Sequence, residues 1–392
     1  VINVSLARNP VINPKLTGLF RKSGVKELNK HLQAWVRLNL AEGMGISRKL
    51  ELLRMLKTPE AIFEMDRKDW DGLGLKPAQA DSLLSEDKLR ESAEIIRMSE
   101  KKGIRIIPMD DEEYPELLRY IQDPPLVLYV KGVIPKGLGL GIVGSRKATG
   151  YGMNTAFRLA SELAEEGFII VSGMARGIDT AAHTGALHAG GQTMAVLGCG
   201  PDQAYPPENR GLMDRIARNG AVISEYPPGV KPQTYHFPVR NRVISGICIG
   251  VLVVEAGQKS GSLITAQAAL EQGREVFAIP GNINHHTSMG TNRLIREGAK
   301  LVLSIQDILE EIPWSLSALP VYRKSSAPGT EPLSREESLI LQTLRAEDLY
   351  HDQIAERTGV PRHVLFAALL QLEIRGLVRK DLTGRYAIVS DR

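Results

Sequence analysis

Gly139-Leu140-Gly141-Ile142-Val143-Gly144-Ser145-Arg146 leads into a helical pattern from Tyr151 to Glu166. Phe168-Ile169-Ile170-Val171-Ser172-Gly173-Met174-Ala175-Arg176-Gly177-Ile178-Asp179 then runs into Thr180-Ala181-Ala182-His183. Twice, an apolar strand ends in a small-residue turn that carries one arginine and opens a helix. Small residues let a ligand approach the backbone, and the free N–H groups of a helix's first turn attract an anion. An arginine beside them adds a fork of donors matched to phosphate oxygens. Two such turns on neighbouring parallel strands lie at one edge of a sheet, which makes a phosphate site or a row of them.

Outward from this pair the order is regular. Strand patterns fall at 138–143, 168–172, 193–197, 221–224, 247–254, 275–279 and 300–303, with helical patterns such as 209–219, 263–272 and 292–297 between them. Strands apolar throughout, alternating with helices, predict an α/β fold with a parallel sheet covered on both faces. Ligands of such sheets sit outside the carboxyl ends of the strands. Two short strands, 104–108 and 126–130, precede the sheet. The segment Pro313–Pro332 is rich in Pro and Ser and reads as a linker. Beyond it, helices over 334–345, 352–358 and 362–375 and a hairpin of 377–379 with 386–389 predict a winged helix. The expected division is a basic leader and helical domain (1–103), a sheet domain (104–312), a linker (313–332) and a winged helix (333–392).

The helical domain contains an internal echo. Gly43-Met44-Gly45-Ile46 and Gly72-Leu73-Gly74-Leu75 each precede a helical run, the Gly-x-Gly turn of helix-hairpin-helix modules, whose amides hold nucleic-acid phosphates. The same spacing serves plain helix packing, and the residues do not choose between the two. Net charge is +4, yet residues 1–57 hold eleven Lys/Arg against three Asp/Glu. A basic end on a near-neutral body fits a polyanion partner or a solvated leader. No apolar run approaches the roughly 20 residues of a membrane span, and the start lacks the apolar core of a secretory signal, so a cytoplasmic protein is expected. Cys199 and Cys248, both beside apolar strand patterns, read as buried reduced thiols.

Gly139-x-Gly141-x-x-Gly144 has the spacing of a dinucleotide fingerprint, but its first glycines fall inside the strand and no acidic residue ends the next strand, so a nicotinamide site is rejected. Gly257-Gln258-Lys259-Ser260-Gly261-Ser262 fails the P-loop pattern, yet it puts a lysine and two hydroxyls at the end of a strand, which suits a phosphate. Phe237-Pro238-Val239-Arg240-Asn241-Arg242 reads as a third basic turn before a short helix, with Phe237 placed to stack a base and the arginines to hold the backbone. Ser172, Asp179 and His183 resemble a hydrolase triad only in composition: Asp179 and His183 lie one turn apart on one helix, and no Gly-x-Ser-x-Gly elbow is present. His285-His286 lacks a carboxylate or cysteine at ligand spacing, so no metal is assigned.

Gly144-Ser145-Arg146, Ser172–Asp179, Ser224-Glu225-Tyr226-Pro227-Pro228-Gly229, Phe237–Arg242, Lys259–Ser262 and Ala278-Ile279-Pro280-Gly281-Asn282 together resemble the DprA/Smf family of DNA-processing proteins of natural transformation. The resemblance spans about 108–304. It implies an extended Rossmann-like domain, flanked by a helix-hairpin-helix or SAM-like domain and a winged helix. It also implies a homodimer that binds single-stranded DNA, protects it and hands it to the RecA recombinase, with no cofactor and no established catalytic step. The nucleic-acid-binding residues carried over are Gly144, Ser145, Arg146, Ser172, Gly173, Arg176, Gly177, Phe237, Arg240, Asn241, Arg242, Lys259, Ser260 and Ser262. Arg146 and Arg176 hold phosphates, and Arg176 stands where family members often carry lysine. Apolar residues such as Leu294-Ile295 are a candidate dimer contact. The winged helix holds nine Lys/Arg and nine Asp/Glu, which favours contact with protein over groove reading. The alternative is a nucleotide phosphoribohydrolase of related fold, but the Pro-Gly-Gly-x-Gly-Thr-x-x-Glu motif of those enzymes is replaced here by Glu255-Ala256-Gly257-Gln258-Lys259-Ser260-Gly261-Ser262.

Overall fold

The computed structural model describes residues 25–65, 70, 72–312, 334–344, 347, 349–361, 364, 365, 368, 369, 372, 378–380 and 385–388. The leader before residue 25 and the linker Pro313–Pro332 lie outside them. The chain divides into two compact units, 1–322 and 323–392.

Nine strands form one sheet in the first unit: β1 (Arg105–Pro108), β2 (Val127–Gly132), β3 (Gly139–Val143), β4 (Ile169–Ser172), β5 (Thr193–Leu197), β6 (Gly220–Ser224), β7 (Cys248–Val253), β8 (Glu275–Ala278) and β9 (Lys300–Leu301). Their order is β1-β2-β6-β5-β4-β3-β7-β8-β9. The seven strands from β6 to β9 run parallel, while β2 joins β6, and β1 joins β2, antiparallel. Every residue of β3, β4, β5 and β6 is buried, as an apolar run without alternation requires of a strand covered on both sides.

Among the described residues, thirteen α-helices accompany the sheet: α1 (Val25–Leu40), α2 (Ile46–Leu56), α3 (Pro59–Glu64), α4 (Pro77–Leu84), α5 (Glu86–Lys101), α6 (Glu116–Arg119), α7 (Gly150–Glu165), α8 (Ile178–His188), α9 (Arg210–Arg218), α10 (His236–Ile247), α11 (Ser262–Glu271), α12 (Met289–Arg296) and α13 (Gln306–Leu309). Leu140, Ile142 and Ile170 point to one face, where Leu159, Leu163 and Ala182 of α7 and α8 cover them. Val143, Val171, Val251 and Val253 point to the other, beneath Val243 and Ile244 of α10 and Ala266 and Ala269 of α11. None of the described helices is long and apolar enough to cross a membrane.

The N-terminal helices share the core of this second face: Trp35, Leu38, Leu52, Leu53 and Leu83 are buried in one cluster with Leu128 and Val130 of β2. The two Gly-x-Gly hairpins engage each other. Gln79 donates from its amide to the carbonyl of Gly43 at 2.7 Å, and Arg48 donates to the carbonyl of Leu73. Part of the basic end is turned inward: Arg37 lies 4.3 Å over the Phe63 ring, and buried Lys49 donates to the Asn39 carbonyl at 2.8 Å. Burial pushes the Lys49 ammonium down to about 8, with Lys88 adding to the shift.

In the second unit, helices Arg335–Leu344 and His351–Thr358 pack with a three-stranded antiparallel sheet ordered Leu349–Tyr350, Arg385–Ile388, Val378–Lys380. Ile340, Leu344, Ile354, Leu365, Leu369, Val378 and Tyr386 form its core. Gly359, left-handed at φ 66°, ends the second helix before Pro361. The strand Leu349–Tyr350 is too short to show a period in the sequence.

The two short strands expected ahead of the sheet, β1 and β2, are part of it, as its antiparallel edge, and the third basic motif also departs from expectation. Phe237–Arg242 is not a turn before a helix; it forms the first turns of α10, a helix of 12 residues. Pro238 sits in the first turn, where the missing N–H costs no helical bond. In a helix, residues spaced i and i+2 point about 200° apart, so Arg240 and Arg242 diverge.

Candidate nucleic-acid interface

The chain leaves β3 toward β4 on one side and leaves β7 toward β8 on the other, so the loops after β3 and β7 part company and open a crevice at the carboxyl ends of the strands. That is the switch point at which open α/β sheets hold ligands. A groove of roughly 950 Å³ occupies it, bounded by Val143–Lys147 after β3, Gly257–Ser262 after β7, the start of α10, Tyr205 after β5, and His286 after β8. Four Lys/Arg side chains line it, Arg146, Lys147, Arg240 and Lys259, against one carboxylate, Asp179.

The loops meet closely because of glycine. A Cβ on Gly144 would lie 2.6 Å from Ile178 and 2.9 Å from the carbonyl of Glu255. Gly177, at φ 76°, passes so near the carbonyl of Ser145 that a Cβ would come within 2.3 Å. Ser145 donates its N–H to the Glu255 carbonyl at 2.8 Å, and Ile178 donates to the Ser145 carbonyl at 3.3 Å. Arg146 and Lys259 are exposed and form no ion pair among the described residues. The Arg146 guanidinium stands 5.3 Å from the centre of the half-buried Phe237 ring.

The helix starts at this edge differ. The amide and hydroxyl of Thr149, the N-cap of α7, donate to the buried carboxylate of Glu255 at 2.9 and 2.5 Å, and Thr149 in turn caps Gly152 at 3.1 Å. The anion at the start of α7 is therefore the protein's own, and the expectation of a phosphate on that helix gives way to Ser145-Arg146 in the preceding loop. At α8, Asp179 accepts the N–H of Ala175 at 3.2 Å. The start of α11 has neither an acidic residue in its first turn nor a side-chain cap on Gly261. Ser260 and Ser262 share a hydroxyl hydrogen bond of 2.7 Å there, beside Lys259. Ser260 Oγ also accepts the N–H of Ser262 at 3.4 Å, and the next two amides donate to the Ser260 and Gly261 carbonyls, so what this loop offers an anion is the Lys259 ammonium.

The other basic residues are placed unequally. Arg240 is buried, donating to the carbonyls of Gly173 (3.1 Å) and Val196 and to the Asn241 side chain at 3.2 Å. Burial pushes its guanidinium down to about 10, a shift the neighbouring Asp179 opposes; burial in turn raises Asp179 to about 6 against the pull of Arg240. Asn241 also donates to the Gly261 carbonyl at 3.2 Å, tying α10 to the Lys259 loop. Arg242 does not line the groove: it pairs with Glu225 at 2.8 Å. Arg176 also stands outside the groove lining, exposed and paired with Glu208. Ser172 is wholly buried and donates to the Ile142 carbonyl at 2.6 Å, while a Cβ on Gly173 would strike the Arg240 guanidinium at 2.6 Å. These two residues position the groove from beneath.

No triad assembles. His183 is fully buried with Nδ1 2.7 Å from the Thr193 hydroxyl, and burial pushes its imidazole down to about 3. Tyr205, Thr234 and Lys147 also line the groove and carry no sequence motif that marks them; Gln258, from the Lys259 loop motif, and His286, from the histidine pair read only for metal, line it too. The usable signal was topological: each follows a parallel strand or flanks α10.

A family profile described as DNA recombination-mediator protein A matches residues 105–313, and one described as DprA winged helix domain matches 324–381. DNA processing protein DprA of Bacillus subtilis is 47% identical over 216 residues, 54% of this chain and 73% of that protein. Protein Smf of Synechocystis is 33% identical over 402 residues, 91% of this chain and 99% of its own. The X-ray structure of DNA processing protein A from Streptococcus pneumoniae superposes with a TM-score of 0.63 at 38% identity, covering 71% of this chain and 96% of that one. The groove, the sheet order and these matches agree: the chain belongs to the DprA/Smf family of DNA-processing, DNA-binding proteins.

Proposed function

We propose that this chain holds single-stranded DNA in the switch-point groove as a homodimer in the cytoplasm, shields it, and passes it to the RecA recombinase during uptake of DNA by natural transformation. The observation that carries the reading is the groove itself, with four cations against one carboxylate around the edge of Phe237. Arg146 and Lys259 take backbone phosphates, with Ser145, Ser260 and Ser262 supplying hydroxyls. Ser172, Gly173, Gly177, Arg240 and Asn241 hold these groups in place. A ring set in a groove stacks only on an unpaired base, since a duplex offers base edges and not faces. Of the two side-chain amides in the basic motifs, Asn241 is engaged by Arg240 and Gly261, which leaves Gln258 as the one amide free to meet a base edge.

Residues 138–304 hold fifteen Lys/Arg and twelve Asp/Glu, a modest +3. One groove at physiological salt, where screening acts over about 8 Å, binds weakly; two joined by a two-fold axis gain about 10²–10⁴-fold by bivalency. Dimerisation and the hand-over to RecA rest on the family resemblance. Fluorescence anisotropy with single- and double-stranded oligonucleotides of equal length, across salt and protein concentration, tests the reading. Tighter single-strand binding that steepens as the protein dimerises, together with faster RecA assembly on the bound strand, is expected. Equal affinity for duplex and single strand at every salt concentration overturns it.

A further inference from the structure

The aromatic side of the groove extends past Phe237. Tyr205, in the loop after β5, lines the groove and stacks on Phe237 with ring centres 5.3 Å apart and planes 28° from parallel. Its side chain is 38% exposed and belongs to none of the buried apolar clusters. The loop that carries it is braced. Gly200 donates to the Val230 carbonyl at 2.9 Å, Asp202 accepts from Gly229 at 2.9 Å and from Lys102 at 2.5 Å, and Asn209 donates to the Met174 carbonyl at 2.9 Å. A large ring is thus held at the lip of a groove by structure around it, while filling no core itself.

Its surroundings give the ring a place in a path. Arg146 stands on the groove side, 5.3 Å from the Phe237 ring against which Tyr205 lies. Arg176, absent from the groove lining, is held by Glu208, three residues beyond Tyr205 in the same stretch of chain. A strand running from Arg146 to Arg176 would pass this exposed ring, which offers a base a face to stack on.

Resting on the single-strand reading of the groove, we propose that Tyr205 is a base-stacking platform for the nucleotide that leaves the groove, between one phosphate on Arg146 and another on Arg176. A stacking platform acts on any base and contributes through the ring face and not through charge. Its removal lowers affinity without changing the number of counterions released.

The test is fluorescence anisotropy of the full chain with a short labelled oligothymidylate and with a set of the same strands carrying one abasic site at each position. Tyr205→Leu, which keeps an apolar neighbour for Phe237, is expected to weaken intact strands about tenfold at an unchanged salt slope. Tyr205→Phe should bind within about twofold of the parent. On the strand whose abasic site falls at the platform, parent and Tyr205→Leu should bind alike, because base and ring contribute one interaction. Arg146→Ala separates the two readings by weakening all strands and flattening the salt slope. If Tyr205→Leu binds as the parent does, or loses equally on every abasic strand, while Arg146→Ala is impaired, the platform is wrong and the groove stands. If Arg146→Ala also binds normally, the groove reading fails with it.

Discussion

Arg240 and Asp179 form the charged floor of the groove, and both are nearly excluded from water. Burial raises Asp179 to about 6, so between pH 6 and about 4 the folded chain binds a proton that the unfolded chain does not, and stability from this group rises as pH falls. His183, one helical turn away, has the opposite sign. Its folded value near 3 lies below the ordinary value of about 6.5, so the unfolded chain alone takes the proton and stability is lost as pH falls through 6.5 toward 3. The two oppose each other between about pH 6 and 4. His183→Asn removes one arm, so its stability deficit at pH 7 should shrink by up to about 1.4 kcal/mol per unit as pH falls to 4. Denaturant unfolding across that range checks it, and a deficit constant with pH contradicts the burial of a neutral imidazole. At this scale the sequence was partly legible. Arg146 and Lys259 stand out because each is the cation of a small-residue turn at a strand end. The inward aim of Arg240 and the Glu225 and Glu208 pairs of Arg242 and Arg176 depend on chain segments 17 to 67 positions away, which local pattern does not reveal.

Among the elements, the buried strands were the most legible: Thr193–Leu197 falls where its unbroken apolar run predicts, β3, β4 and β8 differ by one residue at one end, and β7 by one at each end. The start of α10 was not, because Pro238 and two arginines read as a turn although proline is compatible with a first helical turn. The start of α7 was misread for another reason. Its resident anion, Glu255, lies 106 positions from Thr149. Thr149→Val removes the hydroxyl that donates to Glu255 and caps Gly152, and should cost about 1–2 kcal/mol of stability. Single-strand affinity should remain within about twofold, since α7 holds no phosphate in this account. A folded Thr149→Val chain that no longer binds DNA would move the phosphate back to that helix.

For the molecule as a whole, net charge is a poor guide, since +4 over 392 residues hides a groove lined by four cations against one carboxylate. Topology concentrates the charge: the order β4-β3-β7-β8 places the Arg146 and Lys259 loops on either side of one crevice, although they lie over a hundred residues apart in the chain. Apolar side chains remain exposed near the β9 edge at Leu301 and Leu303, and on α12 at Met289, whereas Leu294 packs partly against the core. The central claim is that phosphates sit on both walls of the switch-point crevice. Its most direct test is the salt dependence of single-strand affinity for the parent chain, Arg146→Ala, Lys259→Ala and the double variant. Each single change should weaken binding to every sequence alike and make the slope of log affinity against log salt shallower by about 0.7 per phosphate lost, with the double change losing both. A folded double variant that keeps the parent's affinity and slope would contradict the account.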